Sequence, residues 1–407
     1  MNCRHCNRPL VHTFVDLGFA PPSNAYLAAA DLRKPELYYP LRTHVCDNCW
    51  LVQTEDYSRA EDLFTQNYAY FSSTSTSWLE HAEQYFLKIK DILKLDTDSF
   101  VIEIASNDGY LLKHFVRDRI RCLGIEPTSS TAKVAENNHI PVLREFFSEA
   151  LGKNLSEKGQ QADLIIGNNV LAHVPDINDF TRGLKAALKQ GGTITLEFPH
   201  LMQLIERTQF DTIYHEHFSY ISLNTLVKIF SAAGLRVYSV EQLTTHGGSL
   251  RVYGCHAEDL RRSEGVVSAM LDLEVRSGLN RIETYKGMQL RIEGIKRELL
   301  TFLLDKKREG KIVAAYGAAA KGNTLFNYVG IKRDLIPFVF DAAESKQHLY
   351  LPGSHIPILS LNEMSSLKFD YLLVLPWNIR DEIKASCVDR VKETTIFFTA
   401  VPCLEFI

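Results

Sequence analysis

Residues 211–222 read Asp-Thr-Ile-Tyr-His-Glu-His-Phe-Ser-Tyr-Ile-Ser, which places two histidines, a glutamate and two tyrosines within one short stretch. A histidine that titrates near working pH and is oriented by a carboxylate can take a proton from a carbon beside a ketone. Neighbouring phenols can then hydrogen-bond the enolate. A carbanion of that kind attacks a sulfonium methyl group, so the chemistry implied is methylation on carbon. Singly, His215 or His217 would read as a hydrogen-bonded core histidine and the tyrosines as packing. The clustering favours the active reading, with Tyr214, Glu216 and His217 at its centre and His173 joining them from another strand end.

Cysteines supply the second signal. Cys3-Arg-His-Cys6 and Cys46-Asp-Asn-Cys49 are two C-x-x-C pairs, a spacing that lets two tight knuckles aim four thiolates at one tetrahedral zinc ion. Four thiolates fill the coordination shell, so the expected zinc is structural, with His5 and His44 as bystanders. The gap between the pairs exceeds the common spacing of about 15 to 20 residues, which requires an inserted element. Cys122, Cys255, Cys387 and Cys403 are scattered among apolar neighbours and read as buried thiols.

The elements that must hold these groups are α/β. Phe100 to Ile104 reads as a strand, Ser106 to Gly109 as a tight turn before a helix, and "RCLGIEPT" as a second strand ending in Glu126. Further strands end near Asn168 and near Pro199. Before them, "SSTSTSWLEHAEQYFLKIKDIL" reads as a capped helix, overlapping "NYAYFSS" with Tyr68 and Tyr70. A long charged helical stretch, residues 258–309, precedes a second α/β block. There "GKIVAAYGAAAKGNTLFNYVG" gives strand, glycine turn and helix.

The turn after the first strand bears on the cofactor. A strand, a small-residue turn and a second-strand acid form a geometry for an adenosine-bearing ligand, with Glu126 accepting from the ribose hydroxyls. A dinucleotide site wants three glycines facing a pyrophosphate. Here Ala105-Ser106-Asn107-Asp108-Gly109 carries one glycine and an acid that repels phosphate. A ligand with sulfonium and ammonium charges suits Glu103 and Asp108, so electrostatics favour S-adenosylmethionine; a turn that binds nothing is the alternative. Candidate contacts are Glu103, Ala105, Asn107, Gly109 and Glu126, with Asn168 and Asn169 at the next strand end. In the second block Lys321 sits at a strand-to-helix turn that can meet a diphosphate, and the "HGGS" run places His246 and Gly247 where a backbone can approach closely.

Together, the paired C-x-x-C motifs, "NYAYFSSTSTSW", "VIEIASNDGYLL", "GIEPT", "NNVLAHVPDINDF", "TLEFPHL", "TIYHEHFSYIS", "THGGSLRVYG" and "AYGAAAKGNT" resemble the sugar C-methyltransferases in order and over nearly the whole chain. Those enzymes add a 3-C-methyl branch to nucleotide-linked 4-keto deoxysugars. The resemblance implies an α/β chain of three parts. These are a small zinc-binding N-terminal domain (1–68), a central Rossmann-like class I methyltransferase domain (69–256) and a C-terminal Rossmann-like domain holding the nucleotide-sugar (257–407). It implies His217 as general base, with Tyr214, Glu216, His173 and Tyr70 beside it, and Tyr68, His246, Gly247 and Lys321 on a substrate whose nucleotide is taken as dTDP.

Rival readings are a nicotinamide-dependent oxidoreductase of a nucleotide-sugar, a methyltransferase for another small molecule, and a zinc-ribbon nucleic-acid binder. The net charge of −4, without a block of lysine and arginine, argues against the last. No run approaches the roughly 18 to 20 apolar residues of a membrane span, and no signal peptide is visible at the start, so a cytoplasmic protein is expected. Nothing points to an obligate partner protein, and a monomer is the expectation.

Overall fold

The computed structural model describes residues 1–57 and 71–407; Tyr68 and Tyr70 lie outside the described residues. Among the described residues the strands form three sheets. The first is antiparallel, in the order β1 (His12–Ala20), β2 (Tyr39–Val45), β3 (Val52–Thr54) and β9 (Ser219–Tyr220). Its last strand therefore comes from the histidine-rich stretch: Val52 pairs with Tyr220 and Gln53 with Ser219. The N-terminal sheet is not built from the first residues alone.

The central sheet runs β10 (Leu235–Leu243), β11 (Ser249–His256), β8 (Leu188–Pro199), β7 (Ala162–Asn168), β4 (Phe100–Ile104), β5 (Arg121–Ile125) and β6 (Val142–Leu143). β4 pairs in parallel with both β5 and β7, while β11 runs antiparallel between β8 and β10. This is the strand order of a class I methyltransferase. The order in which strands are added reverses between β4 and β7, so ligand is expected at the carboxyl ends of those two strands. Val101, Ile102, Leu164, Ile165 and Ile166 are fully buried, as a sheet covered on both faces demands.

The third sheet runs β14 (Ile358–Leu359), β13 (Val339–Phe340), β12 (Val313–Tyr316), β15 (Tyr371–Val374), β16 (Ile396–Thr399) and β17 (Glu405–Phe406). It is parallel except for β17, and its strand order reverses between β12 and β15. One apolar core joins the N-terminal sheet to this unit: Phe14, Val15 and Leu17 of β1 share it with Met288, Ile292 and Phe326.

The helix expected before β4 spans Thr76–Leu93, with the Ser75 side chain accepting from the Trp78 amide. The expected long charged helix is broken. It forms Gly265–Arg276, Ile282–Lys286 and Met288–Arg308, interrupted at Gly278, whose φ of +80° ends the first piece. Cys122, Cys255 and Cys387 are buried as expected, but Cys403 is exposed, because it lies in the turn before β17 rather than under the sheet.

Candidate active site

At the amino end the two knuckles have the same backbone. The Asn7 amide donates to Cys3 O and the Trp50 amide to Cys46 O, and both residues take positive φ, 59° and 67°. The sulfurs of Cys3, Cys6, Cys46 and Cys49 all lie within 4.8 Å of one another, with Cys3–Cys49 at 3.4 Å and Cys6–Cys46 at 3.5 Å. A zinc tetrahedron with bonds of about 2.3 Å has sulfur–sulfur edges of about 3.8 Å, so the four thiols fit that ion after a small outward relaxation. His5 and His44 are turned to Asn178 and Glu55.

The turn after β4 carries the cofactor candidates. Ala105, Asn107 and Gly109 alternate at positive φ of 56°, 51° and 78°, a backbone that leaves amides facing the strand ends. At Gly109 an added Cβ would lie 2.3 Å from Ile140 Cδ1, so that position needs glycine sterically as well. The Glu126 carboxylate accepts from the amides of Asn107 at 3.0 Å and Thr128 at 2.9 Å, which ties the turn to the end of β5. Ser72 and Ser73 amides donate to the side chains of Asn107 and Asp108 from the other side.

Beside the buried Glu103 carboxyl, this end of the sheet holds buried acceptor atoms without a hydrogen-bond partner among the described residues, including Asp108 Oδ1, Asn168 Oδ1 and Asn169 Oδ1. Burial, together with the nearby Asp108 charge, pushes the Glu103 carboxyl well above its usual range. Such a set of acceptors fits a cationic ligand, and S-adenosylmethionine brings both an ammonium and a sulfonium to it. A pyrophosphate would add negative charge beside acids already short of neutralisation.

The histidine-rich stretch lies across the carboxyl edge of the same sheet. His217 Nδ1 donates to the Thr212 carbonyl at 2.8 Å, which leaves Nε2 as the acceptor nitrogen. The expected orienting group, the Glu216 carboxylate, does not hold this nitrogen; the local turn of the chain puts a main-chain carbonyl there. His173 Nδ1 donates to the Glu216 carbonyl at 2.9 Å, and the His173 and His217 rings lie 4.7 Å apart. The Tyr214 ring lies 3.9 Å from His217. Burial, reinforced by His173, drives the His217 pKa well below 6.5, and burial lowers that of His173 to about 4, so both rings are neutral at neutral pH.

From the opposite side comes the third sheet's reversal point. The Lys321 ammonium lies 4.6 Å from the centre of the Trp377 ring and donates to Asn378 Oδ1 at 3.0 Å. Trp377 Nε1 donates to Asp211 Oδ2 at 2.7 Å, bolting the start of the histidine-rich stretch to the C-terminal unit. Burial raises the Asp211 carboxyl to about 6, against the charge of Lys321. The turn at Gly247 also meets Trp377: an added Cβ would lie 2.3 Å from Trp377 Cη2. His246 takes φ 55° and sets its ring edge-on to Trp78 at 5.2 Å. Thus His173, Tyr214, His217, His246, Gly247 and Lys321 converge on one region between two carboxyl edges.

Sequence reasoning did not find two features there. One is a buried charge cluster in which Glu197 pairs with Arg251 at 2.5 Å and accepts from His81 at 2.9 Å and from Thr245 at 2.8 Å. Burial works to raise the Glu197 carboxyl, yet His81 and Arg251 hold it at about 2. The other is Asn24, which donates to both oxygens of Glu216. Neither has a local spacing signal; only the fold brings those residues together.

Three family models match successive parts of the chain: "Putative zinc binding domain" over 3–64, "Methyltransferase domain" over 78–240, and "C-methyltransferase C-terminal domain" over 244–402. Among solved structures, the magnesium protoporphyrin IX methyltransferase of Synechocystis PCC 6803 is 12% identical. It covers 43% of this chain and 78% of its own, with a TM-score of 0.33. A SAM-dependent methyltransferase of Anabaena variabilis is 14% identical, covering 44% and 85%, with a TM-score of 0.36. The C-methyltransferase NovU of Streptomyces niveus is 32% identical over 391 residues, which is 96% of this chain and 92% of that protein. With that identity along nearly its whole length, this chain belongs to the C-methyltransferase family, and it is an S-adenosylmethionine-dependent enzyme with a four-cysteine zinc site.

Proposed function

We propose that the enzyme methylates C3 of a nucleotide-linked 4-keto deoxysugar, carried on dTDP, through an enolate. The observation that supports this most directly is the tautomer of His217: with Nδ1 committed to the Thr212 carbonyl, a neutral imidazole presents Nε2 as a base in a water-poor site. The ketone at C4 acidifies the C3 hydrogen, and Nε2 removes it. The electron pair of the broken C–H bond passes into the enolate, whose oxygen Tyr214 steadies by hydrogen bonding, with His173 beside it and Tyr70 proposed as a further hydrogen-bonding group. Glu103, Ala105, Asn107, Gly109, Glu126, Asn168 and Asn169 would hold S-adenosylmethionine at the carboxyl ends of β4 and β7, where it would supply the methyl group that C3 gains, the sulfonium–methyl bond breaking to leave a neutral thioether. On the far side Lys321, with the amides of its turn, meets the diphosphate, while Tyr68, His246 and Gly247 shape the sugar pocket.

The test is mass spectrometry of a reaction with S-adenosylmethionine and a dTDP-4-keto deoxysugar in deuterium oxide. The expected result is a methyl gain on carbon, with deuterium entering C3 of unreacted sugar. Absence of both, with S-adenosylmethionine binding demonstrated, overturns the assignment of this sugar.

A further inference from the structure

After β1 the chain leaves the N-terminal sheet through Pro21-Pro22-Ser23-Asn24-Ala25-Tyr26 and crosses the region between the two carboxyl edges. It is held there by the C-terminal unit. Asn323 Nδ2 donates to the Ser23 carbonyl at 2.6 Å, and the Tyr26 hydroxyl donates to the Ala318 carbonyl at 2.5 Å, in the glycine turn after β12. Between these anchors, Asn24 Nδ2 lies 2.7 Å and 2.9 Å from the two carboxylate oxygens of Glu216, a residue 2% exposed. Because the carboxylate oxygens can only accept, the NH2 end of the Asn24 amide is the one that faces them, and its Oδ1 is turned towards Tyr26.

We infer that Asn24 is a positioning residue for the reaction: its amide, aimed at both oxygens, fixes the rotamer of the Glu216 carboxylate beside the His173–His217 pair. A donor that meets both oxygens sets the plane of the group, and its loss frees the carboxylate to turn. The Glu216 main chain receives His173 Nδ1 at 2.9 Å, so movement of this residue also moves His173. The anchors, Ala318 and Asn323, lie in the turn and the helix that follow β12, so the segment transmits the position of that turn to Glu216.

The inference rests on the roles proposed above for His217 and His173, whose Nδ1 is held by the Glu216 carbonyl, and the experiment separates the two. Without substrate, at fixed neutral pH, the infrared carboxylate stretch of 13C-labelled glutamate is assigned to Glu216 by its absence in E216Q. That band shifts in N24A and in the equal-sized N24D, both checked for zinc content and S-adenosylmethionine affinity to exclude misfolding. With a dTDP-4-keto deoxysugar, N24A loses about 10- to 100-fold in kcat, with KM changed less than about threefold, as expected for losing hydrogen bonds to a charged group. The double variant N24A/E216Q is no slower than E216Q alone. An unshifted band, or losses that multiply in the double variant, overturns the inference. An E216Q enzyme as fast as the parent removes Glu216 from the mechanism, and with it the catalytic part of the inference; a failure of the parent to turn over this sugar rejects the sugar and leaves the infrared result to decide whether Asn24 sets the carboxylate.

Discussion

A base must be unprotonated before it can act, and burial decides how far into acid His217 keeps that form. The ring pays in solvation for any positive charge, and the neighbouring His173 opposes it further, so protonation waits until well below pH 6.5. In the sign convention of a base, the active form is present above the folded pKa and lost as pH falls through it. The acid limb of kcat/KM should therefore lie below pH 6.5, and a limb centred at or above 6.5 would take His217 out of the role. Replacing His217 by Asn should lower kcat by about 10²- to 10⁴-fold, the usual contribution of a positioned general base, while S-adenosylmethionine affinity stays near that of the parent. The binding side is separate because the acceptors around Glu103 lie at the carboxyl ends of β4 and β7, not in the histidine-rich stretch.

At the scale of elements, what the chain discloses locally and what it conceals divide along sequence distance. The strand Phe100–Ile104 was legible to the residue, because a buried β-branched run followed by a small-residue turn has few other solutions. The two knuckles were legible because four ligands at fixed spacing carry their own geometry. The clamp of Asn24 on Glu216 spans 192 residues and the Trp377–Asp211 bond 166, and no periodicity encodes either. The "HGGS" run shows both cases. As a turn between β10 and β11 it was readable, but its contact with Trp377 was not. Gly247, at φ +86°, accepts no Cβ because Trp377 Cη2 would be 2.3 Å away. Gly247→Ala should thus strain the turn and push it off the C-terminal unit, costing about 1 kcal/mol or more in stability. Its kinetic signature should be a raised KM for the sugar with unchanged S-adenosylmethionine affinity, measured by steady-state kinetics and calorimetry; an unchanged KM would separate this turn from the sugar pocket.

For the whole molecule, the zinc site and the active site are joined through one short strand. Thr225 Oγ1 donates to the Cys49 carbonyl at 3.1 Å, and Asn178 Nδ2 donates to the carbonyls of Arg4 and His5, so both knuckles rest on the methyltransferase unit. From the second knuckle the chain enters β3, which pairs with β9, and Thr54 Oγ1 donates to the His217 carbonyl at 3.1 Å. The candidate base is thereby held from behind by a strand whose start the metal fixes. Four thiols packed this closely cannot all ionise without a cation: hydrogen bonding to Cys49 draws Cys3 down to about 5, and the Cys49 thiol is correspondingly driven up. Removing zinc should therefore reprotonate the thiols and leave the two knuckles without a cross-link, loosen β3 against β9, and displace His217. A chelator that lowers bound zinc, or Cys49→Ser, should abolish turnover while the central sheet, held on its other face by a core with Val101, Leu164 and Ile166 that includes none of the four ligands, still binds S-adenosylmethionine. Zinc content, turnover and cofactor titration on the same samples check this. Turnover that persists without zinc would mean that the pairing of β3 with β9 holds the histidine-rich stretch unaided.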